Sequence, residues 1–117
     1  MNRACLLLLL FPIVACSNDA APTSSQKPDG PKLYVSKNCT TCHGPKHEGT
    51  FMAPPLTRLS EHWNRTDLAS FLKEPNVWKQ KSPRLTEHAK HYRSPMPPTF
   101  GTDEERRTLA EWLLTLP

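Results

Sequence analysis

Thirteen prolines in 117 residues, against only four glycines, set the strongest limit on what this chain can build. Proline lacks a backbone donor and cannot sit inside a helix or a central strand, so it cuts the sequence into short segments. Hydrophobic residues make up only 37% of the chain. A fold this small with so few apolar side chains needs a staple, whether disulfides, a metal or a large cofactor.

The supply shrinks further once the N-terminal region is set aside. Arg3 is followed by an apolar run over 4–11 and then by Pro12, Ile13, Val14 and Ala15. That run is well short of the roughly 20 residues needed to cross a bilayer, so a removable signal peptide is expected over 1–15 rather than a permanent transmembrane helix. It ends in Ile13-Val14-Ala15-Cys16, which resembles the bacterial lipobox. The resemblance implies lipid on Cys16, and at about 0.8 kcal/mol per buried methylene several acyl chains give a lasting anchor. Ser17 stands where an aspartate would signal retention in the inner membrane. The expected home is therefore the cell envelope, in the outer membrane more than the inner, with the domain facing the periplasm.

Residues 17–31 hold many turn formers, Pro and Ser above all, and show no apolar periodicity. With Cys16 they read as a disordered tether over 16–31, able at about 3 Å per residue to reach roughly 45 Å from the membrane. The folded domain is then expected over 32–117. The formal charge of +4, from 15 basic and 11 acidic residues, is too mild to point to nucleic acid.

Within the domain three helical stretches are legible, and no segment alternates like a strand. The first begins after Asp29-Gly30-Pro31, with Pro31 in its first turn, and carries Leu33 and Tyr34. A second follows Asn64-Arg65-Thr66, with Thr66 or Asp67 as cap and Leu68, Phe71 and Leu72 on one face. The third opens on the capping-box pattern Thr102-Asp103-Glu104-Glu105 and presents Leu109, Trp112, Leu113 and Leu116. Residues 44–62 and 75–101 read as proline-studded loops. Loops that long in so small a domain are expected to wrap around something.

What they wrap is announced by Cys39-Thr40-Thr41-Cys42-His43. CxxCH is the attachment sequence for c-type haem: cysteines three apart on a helical turn reach the two vinyl groups, and the following histidine supplies the proximal nitrogen. A thioredoxin-like redox pair would need a strand before the helix. A zinc site would draw further ligands from scattered histidines, and a disulfide across two residues would close a tiny loop of little value. One covalent haem c, on Cys39, Cys42 and His43, is the expected cofactor and the missing staple.

From these residues on, the whole of 32–117 resembles the small monohaem class I cytochromes c. Tyr34 before the haem motif, and Leu109 and Trp112 in the last helix, match the crossing contact of the family's terminal helices. Gly44 gives the common CHG form. Ala53-Pro54-Pro55-Leu56 resembles the loop whose carbonyl accepts a hydrogen bond from the proximal histidine, with Pro54 the better match and Pro55 the reserve. Ser94-Pro95-Met96-Pro97-Pro98 resembles the loop that supplies the distal methionine, which makes Met96 the implied sixth ligand. Met52 lies near the proximal side in sequence. His47 and His62 read as solvated loop residues, whereas His88 and His91, within ten residues of Met96, are its rivals.

The resemblance implies an all-α fold of three or more helices wrapped around one haem. It further implies a one-electron carrier rather than an enzyme, since iron held by both His43 and Met96 keeps no open position. The alternatives are an open-site haem enzyme or small-ligand sensor, or a haem subunit of a membrane oxidoreductase. Redox proteins are the expected partners. Lys79, Lys81, Arg84, Lys90 and Arg93 form a basic run leading to Met96 that would steer an acidic one.

Overall fold

The computed structural model describes residues 27–117, and within them the chain is entirely helical. The signal peptide over 1–15, the lipidated Cys16 and the tether as far as residue 26 lie outside the described residues. Six α-helices follow in order: α1 Gly30–Ser36, α2 Cys39–His43, α3 Arg65–Lys73, α4 Pro75–Lys81, α5 Pro83–Ala89 and α6 Asp103–Leu113, with a 3₁₀ turn at Leu59–Glu61. Among the described residues no helix is long and apolar enough to cross a membrane.

The core is built where α6 lies against α3 on one side and α1 on the other. Leu68, Ala69 and Leu72 of α3, Leu33 and Tyr34 of α1, and Leu109, Ala110 and Leu113 of α6 close into one buried cluster. Leu68 and Leu72 in α3, and Leu109 and Leu113 in α6, are four residues apart, which places each pair on one face of its helix. Such burial stabilises by about 1.5–3 kcal/mol per leucine, and three of the nine buried apolar residues are only alanine.

Gly30 sets the distance between α1 and α6. A methyl group at that position would stand 2.2 Å from Cβ of Trp112, an atom fixed to the α6 backbone. The first helix accordingly begins at Gly30, with Pro31 in its opening turn. Gly30→Ala should force the terminal helices apart and cost about 2 kcal/mol. Denaturant midpoints of the haem-loaded proteins measure it.

Three local readings need correction. Asn64, not Thr66 or Asp67, caps α3, because its side-chain oxygen accepts the Asp67 backbone N–H at 2.8 Å. The stretch from Pro75 is not a long loop but contains α4 and α5, in which Pro75 and Pro83 occupy opening positions where a missing donor costs nothing. The last helix ends at Leu113, although Leu116 still packs on the core beyond it. At Thr102 the expected capping box is formed, its hydroxyl accepting from the Glu105 backbone while the Glu105 carboxylate accepts from the Thr102 backbone.

Candidate haem site

Asn38, in the left-handed conformation at φ 60°, turns the chain out of α1 and starts α2 in a new direction. That five-residue helix consists of Cys-Thr-Thr-Cys-His alone, so both thiols and the imidazole project from one turn and a half. Both thiols are free and half-buried. Burial is the largest influence on Cys39 and pushes its thiol up. Among the described residues no group of three or more His, Cys, Asp or Glu comes together, which leaves the cysteines without further partners for tetrahedral zinc.

His43 is buried, and its Nδ1 stands 2.7 Å from the Pro54 carbonyl. A carbonyl only accepts, so Nδ1 carries the proton and the lone pair sits on Nε2. No fully buried side-chain nitrogen or oxygen lacks a partner among the described residues, so Nε2, which makes no hydrogen bond there, keeps some exposure. Burial, only partly opposed by the Pro54 carbonyl, also lowers the pKa of the ring and keeps it neutral. This is the state in which an imidazole binds iron.

The Pro54 carbonyl is held by residues that carry no motif. Gly49, at φ 78°, lies so close under the proline pair that a methyl group there would meet the Pro55 nitrogen at 2.5 Å. Its N–H donates to the His43 carbonyl at 2.8 Å, and the Thr50 hydroxyl donates to the Cys42 carbonyl at 2.7 Å. The loop is thereby folded back onto the C-terminal end of α2. Tyr34 adds a brace from α1, its hydroxyl donating to the Gly44 carbonyl at 2.7 Å. Burial, with smaller contributions from the Cys39 and Glu48 charges, pushes this phenol up to about 12.

Met96 sits half-buried against the core cluster that also receives Cys39, Leu56, Leu59, Trp63 and Phe71. Its loop is fastened on either side. Upstream, the Arg93 N–H reaches the Phe51 carbonyl at 3.4 Å; downstream, the Thr99 N–H donates to the Leu72 carbonyl at 2.7 Å. His62, His88 and His91 are exposed, with His88 edge-on to Tyr92. His47 is half-buried, packed edge-on against both Tyr34 and Trp112.

Arg106 escapes sequence reading altogether. On the polar-looking first half of α6 it is buried, and its guanidinium donates to the carbonyls of Thr99 at 2.9 Å and Gly101 at 2.7 Å and to the Asp103 carboxylate at 2.6 Å. It clamps the chain just after Met96. Arg106→Ala strands these acceptors and should destabilise the haem-loaded protein by about 2–3 kcal/mol in denaturant titration. Arg106→Lys, which retains a charged donor, should recover part of the loss.

The residues present fit a covalent haem. Two thiols one helical turn apart, a neutral buried imidazole with its outer nitrogen unbonded, and partly covered apolar side chains packed against the core, Leu56, Leu59, Trp63, Phe71 and Met96 among them, are the donors and apolar surface that a haem c requires. These features define a monohaem c-type domain. A sequence profile of cytochrome c matches residues 28–117, nearly the whole of the described chain, and the protein belongs to the cytochrome c family. No curated protein and no solved structure matches the chain.

Proposed function

We propose that this cytochrome c is a periplasm-facing one-electron carrier, held to the envelope by lipid on Cys16, with haem on Cys39 and Cys42 and with His43 and Met96 as axial ligands. The observation that carries the reading is the fixed imidazole: buried, neutral, aimed by the Pro54 carbonyl and joined directly to the second cysteine. Haem supplies one-electron exchange at its iron.

The chain's own contribution is restraint. Pro54 sets the ring plane of His43 and, by polarising Nδ1–H, raises the donor strength of Nε2. Pro95, Pro97 and Pro98 limit the freedom of the Met96 loop before ligation, so less entropy is lost when a weak thioether binds. The anchored ends of that loop, at Phe51 and at Leu72, work the same way. With His43 and Met96 both holding iron, small substrates would be excluded, as a carrier requires and an open-site enzyme or sensor does not. Haem-stained denaturing electrophoresis, followed by redox titration of the purified protein, tests the reading: covalent haem cycling reversibly between two states is expected.

Cys16→Ser should release the mature domain from membranes and leave haem attachment intact, because anchor and site are far apart in the sequence. Fractionation under high salt decides it. Retention in the membrane pellet would point to an uncleaved helix. The electron partners are redox proteins, with outer-membrane attachment the favoured location.

A further inference from the structure

Helix α2 ends in carbonyls that no donor of its own can reach, because the last turn of any helix runs out of intrahelical N–H groups. Two of them flank the His43 side chain. The Cys42 carbonyl, on the peptide that leads into His43, accepts the Thr50 hydroxyl at 2.7 Å, and the His43 carbonyl accepts the Gly49 N–H at 2.8 Å.

Thr50 does more than satisfy one of these acceptors. Its backbone N–H donates to the Ala53 carbonyl at 2.9 Å, and its hydroxyl oxygen accepts the Met52 N–H at 3.0 Å. The Ala53 carbonyl belongs to the peptide that leads into Pro54. One residue thus grips the peptide ahead of the imidazole and the peptide ahead of the carbonyl that the imidazole bonds, the two ends of the 2.7 Å contact between His43 Nδ1 and Pro54.

Little freedom remains between these grips and that contact. A peptide is planar, so holding its carbonyl orients the bond to the next Cα. The proline ring fixes φ of Pro54, which leaves ψ alone between the Ala53–Pro54 plane and the accepting oxygen. Thr50 is exposed, so water could satisfy each of its partners singly with little loss of stability. Water would not keep the two planes at a set separation.

We propose, on the reading of His43 as an axial ligand, that Thr50 is a positioning residue which fixes the bond from His43 Nδ1–H to the Pro54 carbonyl and through it the electron-donor strength of Nε2. The hydroxyl gives its one proton to Cys42 and takes the Met52 N–H on a lone pair. Valine has nearly the same shape and can do neither. In Thr50→Val the Pro54 carbonyl loses its fixed distance from the ring, Nδ1–H is less polarised, and His43 becomes a poorer donor to oxidised iron. The reduced state gains relative to the oxidised one.

The test uses the full-length haem-loaded protein with three variants: Thr50→Val, Thr50→Ser and, as control, Thr115→Val. The Thr115 hydroxyl is likewise exposed and donates to the Trp112 carbonyl at 2.6 Å, at the far end of α6. Thr50→Val should move the equilibrium with a reference redox couple about threefold toward the reduced protein, a rise of about 30 mV at about 59 mV per tenfold for one electron. In nuclear magnetic resonance of the reduced protein, its His43 Nδ1–H should exchange with solvent at least about tenfold faster. Thr50→Ser, which keeps the hydroxyl, should stay close to the parent in both, and Thr115→Val should change neither. Denaturant midpoints of the two valine variants should fall about equally, which separates the effect from a general loosening. Thr50 has no such role if Thr50→Val leaves either quantity unchanged, if Thr115→Val moves them as far, or if Thr50→Ser behaves like Thr50→Val. A shift that comes with loss of the far-red sulfur-to-iron band would place its cause at Met96 and overturn the proposal as well. A parent protein with no reversible one-electron couple would sink the carrier reading instead, and the Nδ1–H exchange would still decide the role of Thr50.

Discussion

Replacing Cys39 and Cys42 together with alanine should give a protein that carries no covalent haem and is largely unfolded. Besides Pro75, the described domain buries only nine apolar side chains, three of them alanine, and its longest helix has 11 residues. Helices this short do not persist alone in water, so they must be held by what they pack against. Much of the available apolar surface is half-covered: Leu56, Leu59, Trp63, Phe71 and Met96 all border the core without being enclosed by it. A covalently attached haem would supply the body these residues lack, and without the thioethers only side-chain ligands such as His43 would be left to hold it. Haem staining after denaturing electrophoresis reads the first part and circular dichroism the second. A helical apoprotein with a cooperative melt would show that the polypeptide core suffices.

The second large effect is expected at Met96. Met96→Ala should abolish the weak far-red charge-transfer band of a sulfur-ligated ferric haem, admit cyanide and carbon monoxide, and lower the potential. Axial ligation spreads haem potentials over about 0.8 V, and exchange of a thioether for water or imidazole should account for a fall on the order of 0.2 V. The covalent haem should remain, because its attachment depends on α2. The replacement ligand, if a side chain, would come from His88 or His91, both exposed and close in sequence. Persistence of the band in this variant would move the sulfur ligand to Met52.

How much of this was legible depended on how far each signal reached along the chain. CxxCH lies within one helical turn, the capping box spans four residues, and both are visible without knowledge of what packs where. Tyr34 and Trp112 were visible as aromatic residues, but the reason Gly30 must be glycine lies across the α1–α6 crossing, 82 positions away in sequence from Trp112. Residues 75–89 read as loop because two prolines fall there and seven residues are too few to establish a helical period; the same prolines in fact open α4 and α5. Arg106 looked like one more charge in a polar turn. Only the fold shows that three acceptors converge on it. Gly49 and Thr50, which steady the Pro54 loop, were equally silent, since their contacts are to backbone atoms that any sequence would offer.

A covalent haem held between His43 and Met96 would have no position left for a substrate. An absorption spectrum of the purified protein, oxidised and then reduced under carbon monoxide, tests this most directly. The far-red sulfur-to-iron band is expected in the oxidised protein, together with a reduced spectrum that carbon monoxide leaves unchanged. An oxidised protein without the band, whose reduced form binds carbon monoxide at once, would contradict it and make the site that of an enzyme or a sensor.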